Sequence, residues 1–385
     1  MSSILSRLFP PYDKPEPLTP GMYHYMAPDD APIPYRLHLR VESAEASVLI
    51  VNAATVLHLN QTATAHALQI VNGLSEEKAA EIIAERYNVS HTRALEDQRE
   101  LREQILTLAT IPDIDPVVFL GMDRAEPFAK RPLAPYRLDL ALTYRCAPDG
   151  TLDKLARRRV DRELSTIEWE QIISTAWDAG IPHVTFTGGE PTLREDLRDL
   201  IAYSEDKGQV TGLLTDGKRL ADESYLGSLS LAGLDHILVT YLRDDPLSMQ
   251  GLSNALASDI FTAVHLTITP QIAGEVIERL DEIHKLGAPA VSLSGSERSE
   301  AISDSLSKAR DHCAHIGIDL IWDLPAPYSA TNPINLELEK APTGAGKAWL
   351  YVEPDGDILP GQGIDKVLGN LLRDTWAEIW SKAID

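Results

Sequence analysis

The stretch Val184-Thr185-Phe186-Thr187-Gly188-Gly189-Glu190-Pro191-Thr192-Leu193-Arg194-Glu195-Asp196-Leu197 decides how this chain is read. Its first four residues have the texture of a strand. Two glycines then allow a tight turn and a close approach of backbone. Pro191 suits the first turn of a helix. Strand, glycine turn and helix in immediate succession are one half of a βα repeat. Upstream, Arg137–Thr143 has the same strand texture and runs into Tyr144-Arg145-Cys146. Between the two, Ser165-Thr166-Ile167-Glu168 is a capping box. It opens a helix whose apolar face is Trp169, Ile172, Ile173, Ala176 and Trp177, closed by Gly180. Downstream, strand candidates recur at Val210–Thr215, 236–242, 264–269, 290–294 and 318–322, with amphipathic helices between them. Six or seven such units predict a parallel sheet or an open (βα) barrel, with any ligand at the C-terminal ends of the strands.

The bulk composition narrows the function classes. A chain of 385 residues is long enough for two or three domains. Its net charge of −23 repels phosphate backbones and anionic membranes, so neither nucleic acid nor a membrane is an expected partner. No apolar run reaches the roughly 18 residues of a membrane span, and the first residues lack a secretory apolar core. Only two cysteines occur, Cys146 and Cys313, which excludes a disulfide framework and suits a reducing, cytoplasmic setting.

Before the repeats, residues 1–31 are rich in proline and read as a tail. Short β-like runs follow at 35–41, 47–52 and Thr55–Leu59. Asn60 and Ser75 are placed to cap two helices, Gly73 stops the first, and a third helix begins near Thr92. Residues 32–110 therefore form a small strand-then-helix domain. The proline-spaced segment 111–132 reads as a linker. After the barrel (133–330), the segment 331–385 has a hairpin signal at Pro354-Asp355-Gly356 and a helix with Trp376, Ile379 and Trp380 on one face.

Taken together, Leu-Thr-x-x-Cys at the end of the first strand, ELSTIEWEQII, VTFTGGEPTLREDL and LLTDG resemble the radical S-adenosylmethionine (SAM) family. VLHLNQTATAHAL and AAEIIAERY resemble the peptide chaperone of PQQ biosynthesis, a domain that recognises leader peptides. YVEPDGDILPGQG and VLGNLLRDTWAEIW resemble a SPASM segment. The resemblance implies a partial (βα)6-type radical SAM barrel with an N-terminal winged-helix-like α+β domain and a C-terminal SPASM-like segment. It implies SAM as cofactor, held by Gly188, Gly189, Glu190 and Pro191, with Thr215, Thr240, Thr267 and Ser292 lining the barrel mouth.

The family binds a 4Fe–4S cluster through C-x3-C-x2-C. Cys146 matches the first position, but Gly150 and Asp153 stand at the second and third. Ala341 and Gly361 stand where SPASM cluster cysteines are common. Glycine offers no ligand, and carboxylate is a poor substitute for thiolate. Cys146 is then vestigial or simply a small packed residue, no metal site is expected, and the cluster is expected to be absent. Two readings follow. One is a precursor-peptide-binding protein that serves as scaffold or partner of an active radical SAM enzyme, or as a self-dimer. The other is an enzyme, either with unusual or shared cluster ligands or binding SAM without a cluster. The basic run 154–162 and the histidines His183, His236, His265, His312 and His315 read first as solvated or packed residues, not ligands.

Overall fold

Along β5 (Arg137–Thr143), Leu138, Leu140 and Leu142 alternate with Arg137, Asp139, Ala141 and Thr143. A strand sends alternate side chains to opposite faces. The leucines therefore enter the apolar layer under the helices, and the other set lines the inner face of the sheet. The same alternation sends Val184, Phe186, Val264, Leu266 and Ile268 outward into that layer. In this computed structural model the chain divides into two units, Met1–Arg124 and Ala125–Asp385. The structure describes residues 15–28, 30–43, 47–111, 114–121, 132–146, 160, 162–321 and 344–383.

The second unit is the repeat structure. Its strands are β5, β6 (His183–Gly188), β7 (Val210–Thr215), β8 (His236–Thr240), β9 (Phe261–Ile268), β10 (Ala290–Gly295) and β11 (Asp319–Ile321), side by side in chain order and all parallel. Helices α5 (Thr166–Asp178), α6 (Leu197–Lys207), α7 (Glu223–Leu231), α8 (Pro246–Ala257), α9 (Val276–Lys285) and α10 (Glu300–Ile316) fill the crossovers. The capping box at Ser165 and Glu168 is formed, and Trp169, Ile172, Ile173 and Ala176 are buried. Each such large apolar side chain stabilises the fold by about 1.5–3 kcal/mol relative to exposure. This is the expected (βα) architecture. The strand predicted over 236–242 ends at Thr240, because Asp245 turns the chain back to Leu242 and caps α8 at Pro246. Trp322, predicted to close the last strand, lies outside the described residues, as do Gly150, Asp153 and Ala341.

The C-terminal segment joins the same sheet. Strand β12 (Trp349–Val352) pairs in parallel with β5, β13 (Asp357–Leu359) pairs antiparallel with β12, and β14 (Gly369–Asn370) pairs with β13. Gly356 takes the positive φ of +88° that the turn requires. Helix α11 (Trp376–Ala383) buries Ile379 and Trp380.

The first unit is a four-stranded antiparallel sheet, β1 (Gly21–Met26), β2 (Arg36–Val41), β3 (Ser47–Val51) and β4 (Thr55–Leu59), in that order. Helices α1 (Gln61–Val71), α2 (Glu76–Tyr87) and α3 (His91–Thr110) follow. Asn60 and Ser75 cap α1 and α2 through their side chains, as their sequence positions predict. One strand lies in a segment read as tail: β1 pairs with β2 from Gly21↔Val41 to Met26↔Arg36. Its proline-rich surroundings hide the alternation of Tyr23 and Tyr25, which pack on the sheet's helix-side core. The segment read as linker holds a short helix, α4 (Pro116–Phe119), capped by Asp115.

The β3–β4 turn carries two non-glycine residues in the left-handed region, Asn52 (φ 52°) and Ala53 (φ 55°). Asn52 is anchored, accepting from Arg36 N–H at 3.0 Å and donating to Ala109 O at 2.9 Å. Ala53 has no such compensation in its side chain. Ala53→Gly is expected to stabilise the protein by about 0.5–1 kcal/mol, read as a higher urea midpoint with unchanged slope. A lower midpoint would contradict the left-handed turn.

Candidate functional site

The candidate site is built where β5, β6 and β7 end. Gly188 has φ +125°, and a Cβ there would overlap the Thr143 carbonyl oxygen. A Cβ on Gly189 would overlap the Arg145 carbonyl. Only glycine fits either position. The contact is then made by hydrogen bonds: Gly189 N–H donates to Thr143 O at 2.6 Å and Glu190 N–H to Arg145 O at 2.8 Å. The turn after β6 is thus laid directly on the exit of β5, one residue short of Cys146. Register slips here, from Ala141↔Thr187 to Thr143↔Gly188, leaving Leu142 as an extra residue in β5. Such a bulge re-aims the strand end.

Glu190 is buried, and its carboxylate is filled from within the chain. Oε1 accepts from Thr192 N–H (3.0 Å), Thr192 Oγ1 (2.6 Å) and Thr215 Oγ1 (2.8 Å), and Oε2 accepts from Asp216 N–H (2.7 Å). It therefore caps the helical turn Pro191–Leu193 and ties it to the end of β7. Burial, reinforced by the neighbouring Asp216 charge, pushes its pKa up. Asp216 is half-buried and is also pushed up, again chiefly by burial. The sequence placed Asp216 near a strand end, but a separation of 26 positions conceals that it abuts Glu190.

Of the other predicted residues, Thr215 belongs to this group through Glu190. Thr267 and Ser292 form a second group, on β9 and β10, around a residue read as an ordinary packed histidine. His265 is fully buried on the sheet's inner face. Its Nδ1 lies 3.1 Å from Ser292 Oγ, and its Nε2 lies 3.0 Å from both Thr267 Oγ1 and Ser294 Oγ. Burial drives its pKa down to about 4, so it is neutral, with a hydroxyl against each ring nitrogen. Thr240, half-buried at the end of β8, is the register partner of His265 on β9.

The chain's two thiols are far apart in kind. Cys146 is half-buried at the β5 exit. Cys313 is packed in the helix layer with Ile302, Leu306 and Ala309, and burial raises its pKa to about 11. His312, beside it, turns to Asp281 at 2.7 Å. Among the described residues no group of three His, Cys, Asp or Glu side chains is placed to hold a metal ion. At Gly361 a Cβ would press against Ala345 Cβ at 3.2 Å and approach Trp349 Nε1 at 3.7 Å, so this SPASM-like position is occupied by packing. Of the basic run, Arg162 is described; it grips Glu168 with two hydrogen bonds of 2.9 and 2.6 Å.

The fold so built is that of radical SAM/SPASM structures. Streptococcus suis SuiB bound to its precursor peptide SuiA superposes with a TM-score of 0.57 at 15% identity, covering 93% of this chain and 88% of SuiB. SuiB bound to S-adenosylmethionine gives 0.55 at 14%, with the same coverage. In sequence, the chain is similar to the PqqA peptide cyclase of Rhizobium meliloti (strain 1021), 27% identical over 295 residues, or 65% of this chain and 74% of that protein. It is similar as well to the PqqA peptide cyclase of Xanthomonas oryzae pv. oryzae (strain MAFF 311018), 26% identical over 285 residues, 64% and 74% of the two chains. No family model matches the chain.

Two outcomes are expected. Gly188→Ala forces the turn off Thr143 and is expected to cost more than about 3 kcal/mol in chemical unfolding, well beyond an ordinary glycine replacement; a near-neutral variant would contradict the close approach. The second concerns pH. His265 is neutral in the fold down to about pH 4, whereas the unfolded chain takes up that proton near pH 6.5. Between these values the unfolded state binds more protons, so stability falls as pH falls, by at most about 1.4 kcal/mol per pH unit from this residue. His265→Gln should flatten the acid limb of the stability curve across pH 6.5 to 4. An unchanged limb would mean that His265 is protonated in the fold.

Proposed function

We propose that this protein takes part in the maturation of a ribosomally made peptide, as a cluster-free relative of radical SAM enzymes that binds the precursor and serves as scaffold or partner of an active maturase. The observation that carries the reading is the thiol inventory. Three thiolates are needed for the cluster; the chain has two, and one is buried in the helix layer. The donor set at the β5 exit does not fit the cluster, and no step is routed through it. The similarity to PqqA peptide cyclases and the shared fold with SuiB, which is seen with its precursor peptide, support the peptide-maturation setting.

Peptide recognition is assigned to residues 32–110, within the first unit, as a PQQ-chaperone-like domain. Strand β4 is an edge of its sheet. An edge strand offers unpaired main-chain groups, and an added peptide strand gains affinity from them and specificity from alternate side chains. The barrel of residues 133–330 and the SPASM-like segment 331–385 supply the scaffold. SAM fits the turn of Gly188, Gly189, Glu190 and Pro191, with Thr215, Thr240, Thr267 and Ser292 as the polar lining. Glu190, whose lone pairs are already used within the chain, fixes the shape of that turn. The partner is an active radical SAM enzyme or a second copy of the chain. The setting we propose is cytoplasmic; no helix in the described residues is long and apolar enough to cross a membrane. The intact glycine turn and the Glu190–Asp216 carboxyl pair favour one second reading, a SAM-binding enzyme that works without a cluster.

PqqA and SuiA precursor peptides are the probes for a test by hydrogen exchange. Binding of either to the full chain is expected to slow amide exchange at β4, Thr55–Leu59. Protection confined to the barrel, or no saturable binding of either peptide, would overturn the assignment.

A further inference from the structure

The ends of the segment that links β5 to α5 are fastened by side chains from two other parts of the barrel unit. Leu142, the extra residue of the β5 bulge, has no place in the β5–β6 ladder. Its carbonyl accepts from Arg194 Nη1 at 3.3 Å. The same nitrogen donates to Leu164 O at 3.0 Å, on the far side of the segment. Arg194 is itself buried and held rigid by a two-pronged grip on Asp196, Nε to Oδ1 at 2.8 Å and Nη2 to Oδ2 at 2.6 Å. Asp196 also accepts from Thr166 Oγ1 at 2.6 Å, which brings in the start of α5. The second fastening comes from the C-terminal hairpin. Tyr144 Oη donates to Glu353 Oε1 at 2.9 Å, and Leu164 N–H donates to Pro354 O at 2.8 Å. Glu353 is fully buried. Both main-chain groups of Leu164 are thus used, one by each fastening.

We propose that Arg194, Tyr144 and Glu353 are positioning residues that clamp the β5 exit beneath the Gly188–Gly189 turn, so that the shape of the barrel mouth is set by protein hydrogen bonds and does not depend on a metal. This rests on the cluster-free reading above. The chemistry favours these residue types. A guanidinium can reach two carbonyls and one carboxylate at fixed angles, which the point charge of a lysine cannot do. A buried carboxylate needs a donor, and the Tyr144 hydroxyl supplies one; burial in turn pushes the Tyr144 pKa up, so it keeps its proton. The C-terminal hairpin then has a role at the mouth as well as in the sheet: it carries the acceptors that hold Tyr144 and Leu164.

The test is amide exchange across Thr187–Thr192 in the full chain, which reports the Gly189 and Glu190 N–H groups on Thr143 O and Arg145 O. Loss of one such bond is worth about a tenfold change. Arg194→Lys is expected to speed this exchange by at least about tenfold and Tyr144→Phe by several-fold, with α1 of the other unit unchanged. Tyr144→Phe should also weaken binding of S-adenosylmethionine, used as probe, and lower the unfolding midpoint, since it leaves the buried Glu353 carboxylate without its Tyr144 donor. Wild-type exchange should be the same before and after treatment with iron and sulfide. Wild-type rates in both variants would overturn the clamp, as would slowing of wild-type exchange on iron loading. Acceleration spread equally over both units would also count against it. Iron uptake without any change in exchange would sink the cluster-free reading and leave the clamp standing. If the wild type does not bind the probe, the exchange result decides.

Discussion

Everything at the barrel mouth depends on one steric constraint: two glycines lie on the carbonyls of the neighbouring strand's exit. Neither Gly188 nor Gly189 has room for a methyl group, and the N–H groups of Gly189 and Glu190 point into the same two carbonyls. That contact locks the end of β6 to the end of β5. It sets where Glu190 goes, and Glu190 in turn collects Thr192, Thr215 and Asp216, locking β7 into the same unit. Three strand ends are joined by one turn and one carboxylate. A buried carboxylate is expensive unless its lone pairs are satisfied, and here four donors converge on it.

The architecture was legible in the sequence because its signals are local and repeated. Alternation along β5, the capping box at Ser165 and the glycine turn at Gly188 each specify their own few residues, and their succession implies a parallel sheet. The parts that escaped notice depend on residues distant in sequence. Nothing near His265 announces that Ser292 and Ser294 will surround it, since the partners arrive on the next strand. Asp216 and Glu190, or Tyr144 and Glu353, meet only after the sheet has formed. Strand β1 was missed for a different reason: prolines around it suggest a tail, although Tyr23 and Tyr25 alternate toward the core. The joining of β12 to β5 is a further long-range event, and it makes the C-terminal segment a continuation of the barrel sheet.

The same scaffold carries two kinds of polar interior. Around Glu190 the groups are acidic and tied to backbone N–H and threonine hydroxyl donors. Around His265 they are neutral hydroxyls on an imidazole that burial keeps uncharged. Neither group supplies the soft thiolates on which iron–sulfur clusters depend.

The central claim is that this barrel keeps the mouth of a radical SAM fold without the metal. The most direct measurement is the iron and acid-labile sulfide content of the full chain after anaerobic reconstitution in the presence of SAM. The account predicts no stoichiometric iron and a colourless protein that remains folded. About four irons per chain with a broad visible thiolate-to-iron absorption would contradict it.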